Sequence, residues 1–195
     1  HDFRSPLTSI RGYVQAMVDG VIPPESQQKY LDIILFETDR LTKLTSNLLD
    51  VNNFDKDNIF LDISRFNLHD SIRKTAGALE GVAAKKDIHF DLELSDTEPL
   101  WVSGDKDKIQ QVLHNLMDNA VKFSHEGSSI LISTREKGNR VFVSVKDSGI
   151  GIPKDDLGKI FERFYKTDLS RGKDKLGTGL GLSICKEIIT AHKQN

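Results

Sequence analysis

Residues 147–153 read Asp-Ser-Gly-Ile-Gly-Ile-Pro and end an alternating segment that starts at Arg140. Glycine permits positive φ and lets a ligand touch the backbone. Two glycines at a strand end therefore make a candidate ligand-facing loop, although a plain turn explains most such pairs. Working upstream, Ser129–Glu136 and Arg140–Asp147 read as two strands around Gly138-Asn139, a hairpin turn. Before them lies a helix capped by Asp105, with Ile109, Val112, Leu113, Leu116, Met117 and Ala120 on its buried side. Its last turns read Asn115-Leu-Met-Asp118-Asn119-Ala-Val-Lys122-Phe123. Asn115 and Asn119 are i and i+4 and share a helix face. Their carbonyl oxygens suit Mg²⁺, which usually bridges substrate phosphates, and Lys122 is near enough to add a cation. Two asparagines that simply face solvent are the bland alternative. Downstream, Gly177-Thr178-Gly179-Leu180-Gly181-Leu182 precedes a final helix, Leu182–Ala191. A glycine-rich turn into a helix N-terminus offers N–H donors suited to phosphate. Its spacing is not that of a dinucleotide fingerprint, and neither a Walker A sequence nor a protein-kinase catalytic loop occurs.

Further upstream, Ile88, Phe90, Leu92 and Leu94 alternate with polar residues as a half-buried strand. Short strands are expected near Phe66–Leu68 and at Trp101-Val102, and helix character fills Asp70 to Ala84. Several helices covering one face of a mostly antiparallel sheet make an α+β sandwich.

The first third has a different period. Phe3, Leu7, Ile10, Val14, Met17 and Val21 step by 4 and 3, a heptad seam. Gly20 and Pro23-Pro24 break the helix. Tyr30, Ile34, Leu41, Leu44, Leu48 and Val51 resume the spacing, Leu31, Leu35 and Leu49 widen it, and Glu37 interrupts it. The prediction is an antiparallel hairpin whose wide stripe needs a partner: a second copy, giving a four-helix bundle, or the chain's own second half. Heptad spacing favours the second copy. Polar Asn52–Asp62 reads as a hinge, dividing the chain into 1–58 and 59–195.

The 195 residues carry 27 basic and 29 acidic side chains, so no global basic field exists to hold nucleic acid. One cysteine, Cys185, excludes an internal disulfide framework and a multi-Cys zinc site. No apolar run approaches the roughly 20 residues that cross a bilayer. His69, His89, His114, His125 and His192 lack metal-ligand spacing and read as surface or boundary positions. Neither end carries a cap, so the chain reads as part of a longer protein, cut at both ends.

Taken in order, His1-Asp2-Phe3-Arg4-Ser5-Pro6-Leu7, Asn115-x-x-x-Asn119-Ala-Val-Lys122-Phe123, Asp147-x-Gly149-x-Gly151, Phe161-Glu-Arg163-Phe164 and Gly177–Leu182 resemble a bacterial two-component sensor histidine kinase over nearly the whole chain. On a wheel of roughly 100° per residue, His1 lies nearly opposite the seam and so faces solvent. The resemblance implies a dimerisation and phosphotransfer hairpin followed by an ATP-binding α/β sandwich of the histidine kinase/Hsp90-like (Bergerat, GHKL) type. It implies that His1 attacks the γ-phosphate of ATP with Asp2 as base, that Arg4 pairs with phosphate or an acidic residue, and that Pro6 bends the helix. It assigns Asp147 to the adenine amino group, Phe123 to the purine face, and Asn115 and Asn119 to Mg²⁺ and phosphates. Lys122, Lys166 and Arg163 meet phosphate charge. Gly149, Gly151 and Ile152 form the first loop, and Gly177, Thr178, Gly179, Leu180, Gly181 and Leu182 the second. Asp168–Lys175 reads as a lid, with Phe161 and Phe164 as its apolar anchors in the core.

Two departures matter. Many relatives have tyrosine where Phe123 stands, and threonine or asparagine where Ser5 stands; the latter bears on phosphatase activity toward the regulator. The implied partners are a second copy and a response-regulator receiver domain, with the chain as the cytoplasmic part of a membrane-anchored parent. Rival readings are an ATP-driven machine on the same nucleotide fold and a scaffold without ATP binding. Asn115 argues against the first, because ATPases of this fold often carry glutamate there and an asparagine cannot take up a proton.

Overall fold

The structure is a computed structural model that describes residues 3–54, 60–168, 170 and 177–192, with the backbone alone at 43 and 47–54. The chain forms two compact units, residues 1–56 and 57–195. The first is a hairpin of α1 (Arg4–Val18) and α2 (Gln27–Phe54), joined by a 3₁₀ turn, Pro24–Ser26. Gly20 ends α1 at φ +68°, with Val21 N–H bonded to Ala16 O (2.9 Å) and Gly20 N–H to Met17 O (3.1 Å). That is a Schellman end, which needs a left-handed residue after the cap. Pro6 sits in the first turn of α1, where its missing N–H removes no helical bond. The polar stretch expected to be hinge from Asn52 is still helical through Phe54.

The two halves of the heptad seam behave differently. Phe3, Ile10 and Met17 are half-buried. Leu7, Val14, Val18 and Val21 are exposed by 54, 44, 75 and 73 %, and Leu31, Leu35 and Phe36 of α2 are exposed as well. The rings of Tyr13 and Tyr30 meet across the hairpin at 5.2 Å. Glu37, which breaks the apolar pattern, is paired with Arg40 one turn on (3.5 Å).

The second unit runs β1 (Ile63–Asn67), α3 (Leu68–Ala84), β2 (His89–Glu93), β3 (Trp101–Asp105), α4 (Lys106–Phe123), β4 (Ser129–Lys137), β5 (Arg140–Lys146) and α5 (Gly181–Ala191). β1 and β3 form an antiparallel ribbon. β4 pairs antiparallel with β5 and parallel with β2. Two of these three pairings are antiparallel, as the sequence led one to expect. The β2–β4 pair is parallel because β3 and α4 intervene, and such a crossover brings the strand back in the same direction. Ile130 and Ile132 of β4 turn inward, fully buried with Ile72 of α3 and Met117 of α4, and make the core.

His69 is a correction, since it is fully buried rather than at the surface or boundary. Its Nδ1–H donates to Glu98 Oε2 (3.0 Å), and its Nε2 meets Thr134 Oγ1 (3.0 Å), which also accepts the Ser95 N–H (2.8 Å). Burial of a polar ring is tolerated when every ring nitrogen is bonded. Arg73 clamps the same carboxylate at 2.7 and 3.3 Å. With the His69 and Asn67 bonds, the Arg73 clamp holds the Glu98 carboxyl down at about 2, against an ordinary value of 4.5. A carboxyl whose folded pKa is depressed stabilises above its unfolded pKa, and that contribution is lost as pH falls through the folded value. The unfolding midpoint is therefore expected to drop between pH 4.5 and about 2. Glu98→Gln should flatten the acid slope in that window; an unchanged slope would show that the carboxylate is not the group responsible.

Candidate functional site

α4 carries the centre of the site. Asp105 caps it by accepting the Lys108 N–H (3.0 Å), as its sequence position predicted. Val112, Leu113, Met117, Ala120 and Val121 are buried, while Asn115, Asp118, Asn119 and Lys122 are half-buried along the opposite side. The helical spacing of Asn115, Asn119 and Lys122 makes one polar stripe. Lys122 is ion-paired with Asp118 at 2.6 Å. At the helix end, Lys86 donates from Nζ to the carbonyls of Val121 and Lys122, both at 2.8 Å. A cation there satisfies terminal carbonyls and suits the negative end of the helix dipole. Nothing in the local sequence marked Lys86, because its partners lie 35 and 36 residues away.

The first glycine loop is laid against that helix end. Gly149 pairs with Ser124 as a bridge, Ile150 N–H bonds to Phe123 O (3.3 Å) and His125 N–H to Ser148 O (3.3 Å). Asp147 Oδ1 accepts the Gly149 N–H at 2.9 Å, so the carboxylate is tied into its own turn. A Cβ on Gly149 would lie 2.4 Å from Phe123 O. The requirement for glycine is therefore close backbone approach. Asp147 is exposed, Phe123 is half-buried, and Ile152 beyond Gly151 is exposed.

The second loop closes the other side of α4. Asn115 Nδ2 donates to Gly181 O (3.3 Å), where α5 begins. Its carboxamide oxygen is thereby left as the acceptor, the hard oxygen that Mg²⁺ prefers. Thr178 Oγ1 accepts the Leu180 N–H at 3.4 Å, and Leu180 is fully buried. Gly177, Gly181 and Leu182 are half-buried around it. Gly179 is left-handed at φ +71° and touches Phe164, itself left-handed at φ +64°. Phe164 N–H donates to Gly179 O (3.0 Å), and a Cβ on Gly179 would come within 2.7 Å of Phe164 C. The two motifs, distant in sequence, thus form one backbone contact.

Phe161 and Phe164 are not in the core: they are 42 and 44 % exposed, because their segment crosses the surface as turns. Arg163 is within 3.7 Å of Glu187 on α5. Tyr165 donates its hydroxyl to Asp156 (2.6 Å), and that bond raises the phenol to about 12. Lys166 is half-buried beside it in sequence. Arg4 and Ser5 are exposed in the first turn of α1. His1, Asp2 and most of the expected lid, 171–175 with Leu169, lie outside the described residues. Among the described residues no cluster of His, Cys, Asp and Glu could hold a metal on its own. Cys185 is buried beside α4, and desolvation pushes its thiol up to about 11.

This arrangement belongs to a known class of nucleotide-binding fold. Residues 104–195 match the model of the histidine kinase-, DNA gyrase B- and HSP90-like ATPases, and residues 1–56 match the His Kinase A (phospho-acceptor) domain. The sensor histidine kinase WalK of Bacillus subtilis is 38 % identical over 98 % of this chain and 32 % of its own length. A structure of histidine kinase ThkA in complex with response regulator protein TrrA aligns with all of this chain and 53 % of that one (TM-score 0.79, 33 % identity). Full-length ShkA in complex with AMPPNP aligns with 98 % of this chain and 39 % of its own (TM-score 0.73, 27 % identity). The chain belongs to the sensor histidine kinases of two-component systems, a family of ATP-dependent phosphotransferases. It spans about a third of the length of the curated relatives it matches.

Proposed function

We propose that this chain is the catalytic core of a sensor kinase that phosphorylates His1 with Mg·ATP and passes the phosphoryl group to an aspartate of a response regulator. Residues 1–58 would dimerise and carry the phosphate; residues 59–195 would bind ATP. The observation that carries the reading is the contact of Asn115 with Gly181, which brings two candidate phosphate-binding elements onto one helix. The nucleotide analogue in the ShkA structure and the regulator in the ThkA structure support the ligand and the partner.

In this mechanism Asp147 accepts a hydrogen bond from the adenine amino group and Phe123 packs on the ring. Asn115 and Asn119 would hold Mg²⁺ through their carboxamide oxygens, with phosphates and waters completing its shell. The metal supplies neutralisation of phosphate charge when bound. Lys122, Lys166 and Arg163 add to it, and the loops at Gly149–Ile152 and Gly177–Leu182 present backbone N–H groups. An imidazole nitrogen of His1 attacks the γ-phosphorus; the bond to the β,γ-bridging oxygen breaks, and ADP leaves with its electrons. Asp2 orients the ring or takes its proton, and Arg4 meets the transferred charge. Water attack is slow, because Asn115 cannot act as a base. Phosphatase action through Ser5, exposed and four residues after His1 in sequence, belongs to the same reading. So does a membrane-anchored parent with this core in the cytoplasm; no helix among the described residues is long and apolar enough to cross a bilayer.

The test is incubation of the chain with γ-labelled ATP and Mg²⁺. Acid-labile, base-stable label is expected, falling at least ~100-fold in His1→Gln, as for loss of a nucleophile. Tight nucleotide binding with no such label would overturn the kinase reading.

A further inference from the structure

α4 and α5 run antiparallel and are tied at three levels. At the site end, Asn115 Nδ2 donates to Gly181 O. Midway, Cys185 Sγ lies 3.8 Å from Val112 O. At the far end, Asp105 N–H donates to His192 Nε2 at 2.9 Å. The pairs advance along one helix and recede along the other in step, so they define a single register. His192 is suited to the last tie by its two nitrogens. Nδ1 lies 2.8 Å from Ile188 O, which can only accept, so Nδ1 carries the proton and Nε2 keeps the lone pair that faces Asp105. The ring packs over Gly104, where a Cβ would stand 3.4 Å away in ordinary contact. Asp105 is a junction in its own right, since its carboxylate caps α4 and also accepts the Asp62 N–H (3.0 Å).

We propose that His192 is a positioning residue for the nucleotide site. By fixing the C-terminal end of α5 on the start of α4, it holds the Gly177–Gly181 loop against Asn115, about 16 Å away along an 11-residue helix. Helices transmit such a displacement along their axes because their hydrogen-bonded backbones resist compression. This assignment rests on the ATP reading of the site. Losing the acceptor leaves the buried Asp105 N–H unpaired, which frees α5 to slide or tilt.

The experiment compares His192→Phe, which keeps a ring but no acceptor, with His192→Gln, whose side-chain oxygen can replace Nε2. Binding of Mg·AMPPNP to the whole chain is measured by calorimetry. His192→Phe is expected to weaken binding roughly tenfold, the scale of one lost buried hydrogen bond, and His192→Gln to stay within about twofold. Leu79→Ala, a core truncation on α3, serves as the stability control: matched loss of unfolding midpoint with unchanged affinity supports positioning. Wild-type affinity in His192→Phe, or equal weakening in Leu79→Ala, would overturn it. The amide signals of Gly181 and the Asn115 side chain, recorded without nucleotide, should shift in His192→Phe and return in His192→Gln. That readout tests the assignment even if the wild-type chain binds no nucleotide, an outcome that would sink the ATP reading alone.

Discussion

Gly149→Ala is expected to abolish nucleotide binding, weakening Mg·AMPPNP at least ~100-fold. A methyl group here would sit 2.4 Å from the carbonyl oxygen of Phe123, 2.8 Å from its carbon and 2.7 Å from Asp147 Oδ1. Two of those atoms are backbone, so no rotamer change relieves the clash. The loop must leave the end of α4, and two bonds go with it: Ile150 to Phe123 and His125 to Ser148. These bonds place the exposed carboxylate of Asp147 beside Phe123, the pair proposed to hold adenine. Overpacking of this kind costs about 1–3 kcal/mol of stability. The rest of the domain, with its core on α3, α4 and β4, should still fold. Circular dichroism would verify the fold, and calorimetry the lost binding. A variant that binds within threefold of wild type would show that Gly149 does not shape the site.

The second large effect concerns association. Val14→Glu is expected to convert a dimer into monomers. Leu7 and Val14 stand one heptad apart on the exposed side of α1, with Val18 one turn on, Val21 just past the helix end, and Leu31 and Leu35 on α2. A stripe this apolar is the usual mark of an interaction site. In a two-fold dimer each residue is buried twice. Burying one valine contributes about 1.5–3 kcal/mol, so losing two copies costs at least ~3 kcal/mol, and desolvating two carboxylates adds to that. The dissociation constant should rise at least ~100-fold. Sedimentation at micromolar concentration reads this directly. A wild-type chain that already runs as a monomer, or a variant that stays dimeric, would remove the bundle from the proposal. Heptad patterning could not have singled out Val14. It marks both apolar positions of the repeat alike, whereas the hairpin half-buries Phe3, Ile10 and Met17 and leaves Leu7, Val14 and Val21 exposed.

Other features divide the same way. The capping role of Asp105, the shared face of Asn115 and Asn119, and the break at Gly20 and Pro23-Pro24 were legible, because each depends on residues within one or two helical turns. The burial of His69 was not legible, since its partners Glu98 and Thr134 stand 29 and 65 residues away. The bonds of Lys86 and the tie of His192 to Asp105 were hidden for the same reason, with partners 35 to 87 residues distant. Phe161 and Phe164 misled in the opposite sense: an aromatic residue suggests a core, yet their segment lies at the surface.

By itself, then, the sequence determined the hairpin, the α+β second unit, the glycine loops and the family, all of which are written in local periodicity and ordered motifs. Tertiary structure alone decided which half of the heptad stays exposed, why Gly149 and Gly179 have no side chain, and how α4 and α5 come into register. Those properties depend on backbone surfaces meeting across many residues of chain, and no local pattern encodes the distance between them.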